Sequence, residues 1–125
     1  MVIFMAVVSN VNFLYEPTDL QCGQAVLAML SGLPIEKVIE ITGTDRETTL
    51  KQMFSFLDKT NIKYSRQRVE VENKSQLSEI CILSLETPRC WHWSLYFKGK
   101  FYDPEHGILE DFPLCKRKYY WEILK

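Results

Sequence analysis

Apolar residues recur with a helical period in the first half of the chain and with a period of two in the second. Residues 22–31 carry good helix formers with apolar side chains on most faces, the pattern of a helix buried on nearly all sides. Gly32, followed by Leu33 and Pro34, stops it. Pro34 suits the first turn of a short second helix over residues 35–42, which Gly43 ends. A third helix is predicted from Thr44 or Thr48 to about Thr60, because Leu50, Met53, Phe54 and Leu57 form one stripe. Thr44 and Glu47 have the spacing of a capping box at its start.

After Asn61 the texture changes. Residues 62–71 alternate polar with apolar and include Tyr64, Val69 and Val71, which predicts a half-buried strand. Residues 73–79 are polar and suit a short helix. Residues 80–85 form an apolar run of strand length, broken by Thr87, Pro88 and Arg89. Residues 92–97 and 100–103 flank Lys98-Gly99, a signal for a tight hairpin. Residues 119–124 read as a last strand. Helices preceding strands point to an α+β fold with a mainly antiparallel sheet. With no internal repeat, low-complexity tract or linker, residues 1–125 are expected to form one domain.

Composition narrows the function classes. The 125 residues hold 15 Lys and Arg against 16 Asp and Glu, a formal charge of −1. A nucleic-acid partner is therefore not expected, since such proteins carry a basic excess or stripe, and Lys116-Arg117-Lys118 is too short to make one. The apolar start, residues 1–8, has no preceding positive charge and falls well short of the roughly 20 residues that a membrane span needs. No membrane association is expected, and a cytoplasmic location follows. The four cysteines, Cys22, Cys81, Cys90 and Cys115, would allow three pairings in a secreted chain, but reduced thiols are expected without a signal peptide. No two have CxxC spacing, and Cys90 with His92 is the only close Cys and His pair, so neither a metal nor another cofactor is expected.

The candidate chemistry lies in three residues. Cys22 opens the buried helix, where the macrodipole and free backbone N–H groups favour thiolate; the competing reading is a small apolar residue packed under the first turn. His92 and Asp103 stand at the far ends of the two hairpin strands. A hairpin turning at Lys98-Gly99 pairs residues whose numbers sum to about 197, and 92 + 103 = 195 leaves the two close to opposite each other. An imidazole held by that carboxylate would aim its other nitrogen outward as a base for a thiol. The alternative is a hairpin histidine satisfied by a surface acid. His106, in Asp103-Pro-Glu-His-Gly107, is expected to be a solvated loop histidine, and Glu105 an exposed loop charge. Of the aromatics near these positions, Tyr15, Trp93, Tyr96 and Tyr102 are assigned mostly to core packing and Trp91 to the edge of a substrate groove.

Two segments resemble the papain-like cysteine peptidases of the bacteriocin-leader-processing (double-glycine) type and their small bacterial relatives. One is Glu16-Pro-Thr-Asp-Leu-Gln-Cys22-Gly-Gln-Ala-Val-Leu-Ala-Met-Leu-Ser-Gly32; the other is His92-Trp-Ser-Leu-Tyr-Phe-Lys-Gly-Lys-Phe-Tyr-Asp103-Pro104, and together they cover about a quarter of the chain. The resemblance implies a papain-like fold and hydrolysis of amide or isopeptide bonds in a peptide or protein substrate, with deamidation or acyl transfer as variants of the same thioester chemistry. It implies Cys22 as nucleophile, His92 as general base and acid, and Asp103 as the residue orienting it. The family's oxyanion-stabilising glutamine lies six residues before the cysteine, where this chain has Glu16. Losing one oxyanion donor typically costs about 100- to 1,000-fold in rate. Either Glu16 is protonated and donates, or Gln21 or Gln24 supplies the amide, or catalysis is impaired and the groove serves as a peptide-binding module.

Overall fold

The computed structural model describes residues 10–124; the apolar start assessed above for signal or membrane-spanning character lies outside the described residues. Among them, three helices precede a sheet, as expected. Helices α1 (Cys22–Ser31), α2 (Ile35–Thr42) and α3 (Leu50–Lys59) are followed by strands β1 (Val69–Glu70), β2 (Ile80–Glu86), β3 (Trp91–Phe97), β4 (Lys100–Asp103), β5 (Gly107–Leu109) and β6 (Lys118–Glu122). All pairings are antiparallel, in the order β1-β6-β2-β3-β4-β5. No helix among the described residues is long and apolar enough to cross a membrane.

Helix α1 spans the residues its pattern predicts, and its environment explains the pattern. Gly23 to Leu30 are all buried, because α1 lies between β3 and the other two helices. Val26, Leu27, Leu30, Phe56 and Leu57 pack with Ile80, Ile82, Leu95 and Phe97 from one face of the sheet. Each such side chain contributes roughly 1.5–3 kcal/mol when fully buried. The opposite face carries a second cluster of Cys81, Leu83, Leu85, Tyr96 and Phe101, covered by Phe112 and Tyr120. Strand alternation thus sends Trp93, Leu95 and Phe97 toward the helices and Tyr96 the other way.

Three local expectations are corrected. The third helix begins at Leu50, and its capping box is Thr49 with Gln52, not Thr44 with Glu47. Residues 44–46 are instead drawn over α1 by the buried Gln24, whose Nε2 donates to the carbonyls of Thr44 and Arg46 at 2.8 Å each. Residues 62–71 meet β6 at two separate places: beside the Tyr64 to Ile123 bridge, where the Ser65 N–H donates to the Glu122 carbonyl at 2.9 Å, and at the two residues of β1, after which the Val71 N–H donates to the Lys118 carbonyl at 3.0 Å. Between these contacts the Ser65 hydroxyl accepts from the Gln67 N–H, a local turn that lifts the chain off the ladder. Within residues 73–79 only a 3₁₀ turn, Lys74–Gln76, forms. Strand β6 starts one residue before its pattern and ends two residues short of it, and β5 has no pattern of its own.

Candidate active site

The hairpin at Lys98-Gly99 sets the geometry. Both residues have positive φ, 47° and 95°, the two-residue turn whose twist matches the strands. Tyr96 pairs with Phe101 and Leu95 with Tyr102, so facing residues sum to 197. Continuing this register sets Asp103 across from Ser94, with His92 two residues further along the same face. The two-residue offset makes His92 a diagonal neighbour on the right side of the strand, where a one-residue offset would have put it on the wrong one.

Asp103 is fully buried and saturated with donors. His92 Nε2 lies 3.0 and 3.1 Å from its two carboxylate oxygens, and the Ser94 hydroxyl donates to Oδ2 at 2.8 Å. Pro104 has no N–H, so the turn beyond it satisfies the carboxylate instead: the N–H groups of Glu105 and His106 each donate to Oδ1 at 3.0 Å. His106 is not purely solvated, because its Nδ1 lies 2.9 Å from the same Oδ1 and its Nε2 3.2 Å from Glu105. Glu105 is likewise half-buried, with Arg89 3.9 Å away.

Cys22 reaches the other side of His92. The thiol and the imidazole line the same cleft and interact electrostatically, while Asp103 holds the ring by hydrogen bonds. The Trp93 N–H donates to the same sulfur at 3.5 Å. Burial by itself disfavours the imidazolium, but the bond to Asp103, the interaction with Cys22 and the carboxylate charge outweigh it and hold the His92 pKa at about 10. Burial would likewise push the Asp103 carboxyl up; the hydrogen bond and charge of His92, with Ser94 and His106, bring it down to about 2. A proton resting on His92 between a sulfur and a carboxylate is the direction both values share.

Gly23 allows Cys22 this position. A Cβ on Gly23 would lie 2.0 Å from the Thr48 Oγ1 and 3.1 Å from the Trp93 ring, so only glycine lets α1 approach β3 this closely. The N-cap residue, Gln21, makes no side-chain cap, which leaves the first-turn N–H groups of α1 facing the thiol end. The side chain of Gln21 donates instead to the Asp45 carbonyl at 2.9 Å. With both amide hydrogens of Gln24 also spent, each glutamine serves to fasten the loop that follows α2.

Glu16 sits against His92, tied there by its own N–H donating to the Pro104 carbonyl at 2.8 Å. Its Oε1 is buried and finds no hydrogen-bond partner among the described residues. Burial raises its pKa; the charge of His92 opposes this, while Glu105, Asp103 and Asp19 add to it. Ligating atoms of His92, Asp103 and His106 gather within 4.8 Å, as do those of Glu16, His92 and Glu105, a spacing that a divalent ion could bridge. Oδ1 of Asp103 already accepts from four donors, so the cluster reads as a hydrogen-bond hub.

A cleft of about 490 Å³ opens over the thiol, with Cys22, His92 and Trp93 on its lining together with Thr48, Arg89 and Trp91. Trp91 is 50 % exposed and stacks on Tyr119, so it stands at the cleft edge as the strand alternation predicts. Tyr96 is core as expected, whereas Tyr15 is exposed, edge-on to Phe13. All four cysteines are free thiols. Ser94 was missed in the sequence, although its register sum with Asp103 is 197. No known protein family matches the chain, and no curated protein does so either.

Proposed function

We propose that this chain is a cysteine-nucleophile hydrolase of amide or isopeptide bonds in a peptide or protein substrate, built as a small papain-like domain related to the double-glycine peptidases. The observation that carries this reading is a His92 ring hydrogen-bonded to the buried Asp103 carboxylate and sharing one cleft with the Cys22 thiol. With Nε2 bound to Asp103, the ring's Nδ1 is the nitrogen left for the sulfur. It already carries the proton that the sulfur has given up when the sulfur adds to the substrate carbonyl carbon. The resulting oxyanion has the uncapped N–H groups of α1 at hand. His92 returns the proton to the leaving nitrogen as the C–N bond breaks, leaving a thioester. Water then adds to the thioester, gives a proton to His92 and releases the acid, which leaves the sulfur once more opposite the protonated ring. Glutamine deamidation follows the same steps with ammonia as the leaving group, and acyl transfer replaces the water with an amine.

One observation favours a second reading, a peptide-binding module with impaired catalysis. A buried, unpartnered carboxylate oxygen on Glu16 beside His92 would repel an oxyanion unless it carries a proton. The Glu16→Gln variant separates the two when hydrolysis of peptide, isopeptide-linked and glutamine substrates is followed. Under the leading reading turnover is measurable, and the amide raises it about 10-fold or more at pH 7. No turnover by either form, with peptide still bound, is the result that supports the module instead.

A further inference from the structure

We propose that His106 is a positioning residue of the same site, tuning His92 through the carboxylate that the two histidines share. The inference rests on reading Cys22, His92 and Asp103 as a reactive constellation, and it extends that constellation by one residue. Two imidazoles flank a single buried oxygen: His106 Nδ1 lies 2.9 Å and His92 Nε2 3.0 Å from Oδ1, with the rings 6.0 Å apart and nearly perpendicular. The turn fixes this arrangement. Pro104 presets one dihedral and Gly107 adopts φ 98°, which returns the chain into β5 and leaves His106 three residues from Asp103, on its carboxylate side.

The ring bond is additional to what the turn itself needs. The N–H groups of Glu105 and His106 already satisfy Oδ1 as a turn cap at 3.0 Å each. What the His106 ring adds is a competing donor on one of the two oxygens that hold the His92 imidazole, the nearer one. Two donors on one acceptor share its electron density, so the His106 bond weakens the grip of Asp103 on the His92 proton. That matters because His92 must release its proton to the leaving nitrogen, and an imidazolium held too tightly is a poor acid. His106 is 41 % exposed at its side chain and reaches solvent while Asp103 does not. The other titratable and charged groups facing this line are Cys22 from α1, Glu16 from the segment before it, Glu105 from the turn, Arg89 through Glu105, Asp19 through Arg89, and Cys115 toward Asp103.

The test compares full-length wild type with His106→Ala and His106→Asn, because an asparagine amide can take the place of Nδ1 as donor to Oδ1. The low-field proton resonance of His92 Nε2–H and the ring's pH titration are followed by NMR, and Cys22 alkylation by iodoacetamide is measured in parallel. In His106→Ala the low-field proton moves further downfield and the His92 midpoint rises by roughly half a unit or more. His106→Asn returns both toward wild type. Unmoved signals in His106→Ala overturn the inference, as does failure of asparagine to restore them or loss of fold in both variants. If Cys22 of the wild type is alkylated no faster than exposed Cys90, the functional reading fails as well; a reactive Cys22 with unmoved His92 signals removes the role of His106 alone.

Discussion

At the scale of single residues, the fully buried Asp103 is the group on which the site depends. Its charge is offset by two imidazoles, a hydroxyl and two backbone N–H groups, so replacing it with asparagine keeps the shape and removes what holds a proton on His92. The Asp103→Asn variant is expected to lower the rate of Cys22 alkylation at neutral pH by about 100-fold or more, a measurement that needs no knowledge of the substrate. How much of this was legible follows from the residue types. Cys22, His92 and Asp103 could be found because a helix start and a two-residue hairpin turn are local features that fix long-range positions by arithmetic. His106 and Ser94 could not be ranked the same way. Turn composition says only that His106 is near the surface, and nothing local reveals that a carboxylate three residues earlier is reaching under it. The roles of Gln21 and Gln24 were equally hidden, since the carbonyls that claim their amides lie 20 or more residues away.

At the scale of elements, the strongest constraint is the contact of α1 with β3. Glycine costs a helix about 1 kcal/mol relative to alanine, so an exposed helix would gain from Gly23→Ala. Here the added methyl would meet Thr48 Oγ1 at 2.0 Å and the Trp93 ring at 3.1 Å. The variant is expected to lose roughly 1–3 kcal/mol in urea denaturation, the usual cost of overpacking. The double variant Gly23→Ala/Thr48→Ala should recover part of the loss, because it removes the nearest atom and leaves the ring; equal losses in the two would contradict this packing. The elements that pattern alone located, α1 and α2, are those ended by Gly32 and Gly43 in left-handed conformation, φ 75° and 78°. Those mislocated owe their shape to tertiary partners. Gln24 holds residues 44–46 out of the third helix, and residues 62–71 lie at the sheet edge, where Arg66 turns back to Asp58 and Arg68 stacks over Tyr119. Three-residue β5 is too short to announce itself.

At the scale of the whole molecule, the buried pair links stability to pH. His92 has its pKa raised from 6.5 to about 10, so its contribution is complete below pH 6.5 and is lost as pH rises through about 10. Asp103 has its pKa lowered from 3.8 to about 2, so its contribution is complete above pH 3.8 and is lost as pH falls through about 2. These are two views of one interaction and are counted once. Glu16, raised by burial, favours the folded state below its ordinary 4.5 and less so as pH rises, the same sense as His92. The melting temperature should therefore be highest between about pH 4 and pH 6.5, and Asp103→Asn should flatten both flanks. A profile that rises steadily from pH 6.5 to pH 10 would show that His92 is not held as an imidazolium.

The central claim is that folding places a nucleophilic sulfur against a carboxylate-held imidazole, and the thiols supply their own controls. Burial pushes Cys81 up to about 12 and raises Cys115, while Cys90 is the exposed thiol against which labelling is compared. The most direct measurement is iodoacetamide labelling of the native protein at pH 6–7, with each site quantified by peptide mass spectrometry in wild type and His92→Ala. Cys22 is expected to be modified at least about 10-fold faster than Cys90, and the advantage is expected to disappear in His92→Ala. Labelling led by Cys90, or a Cys22 rate indifferent to His92, would contradict it.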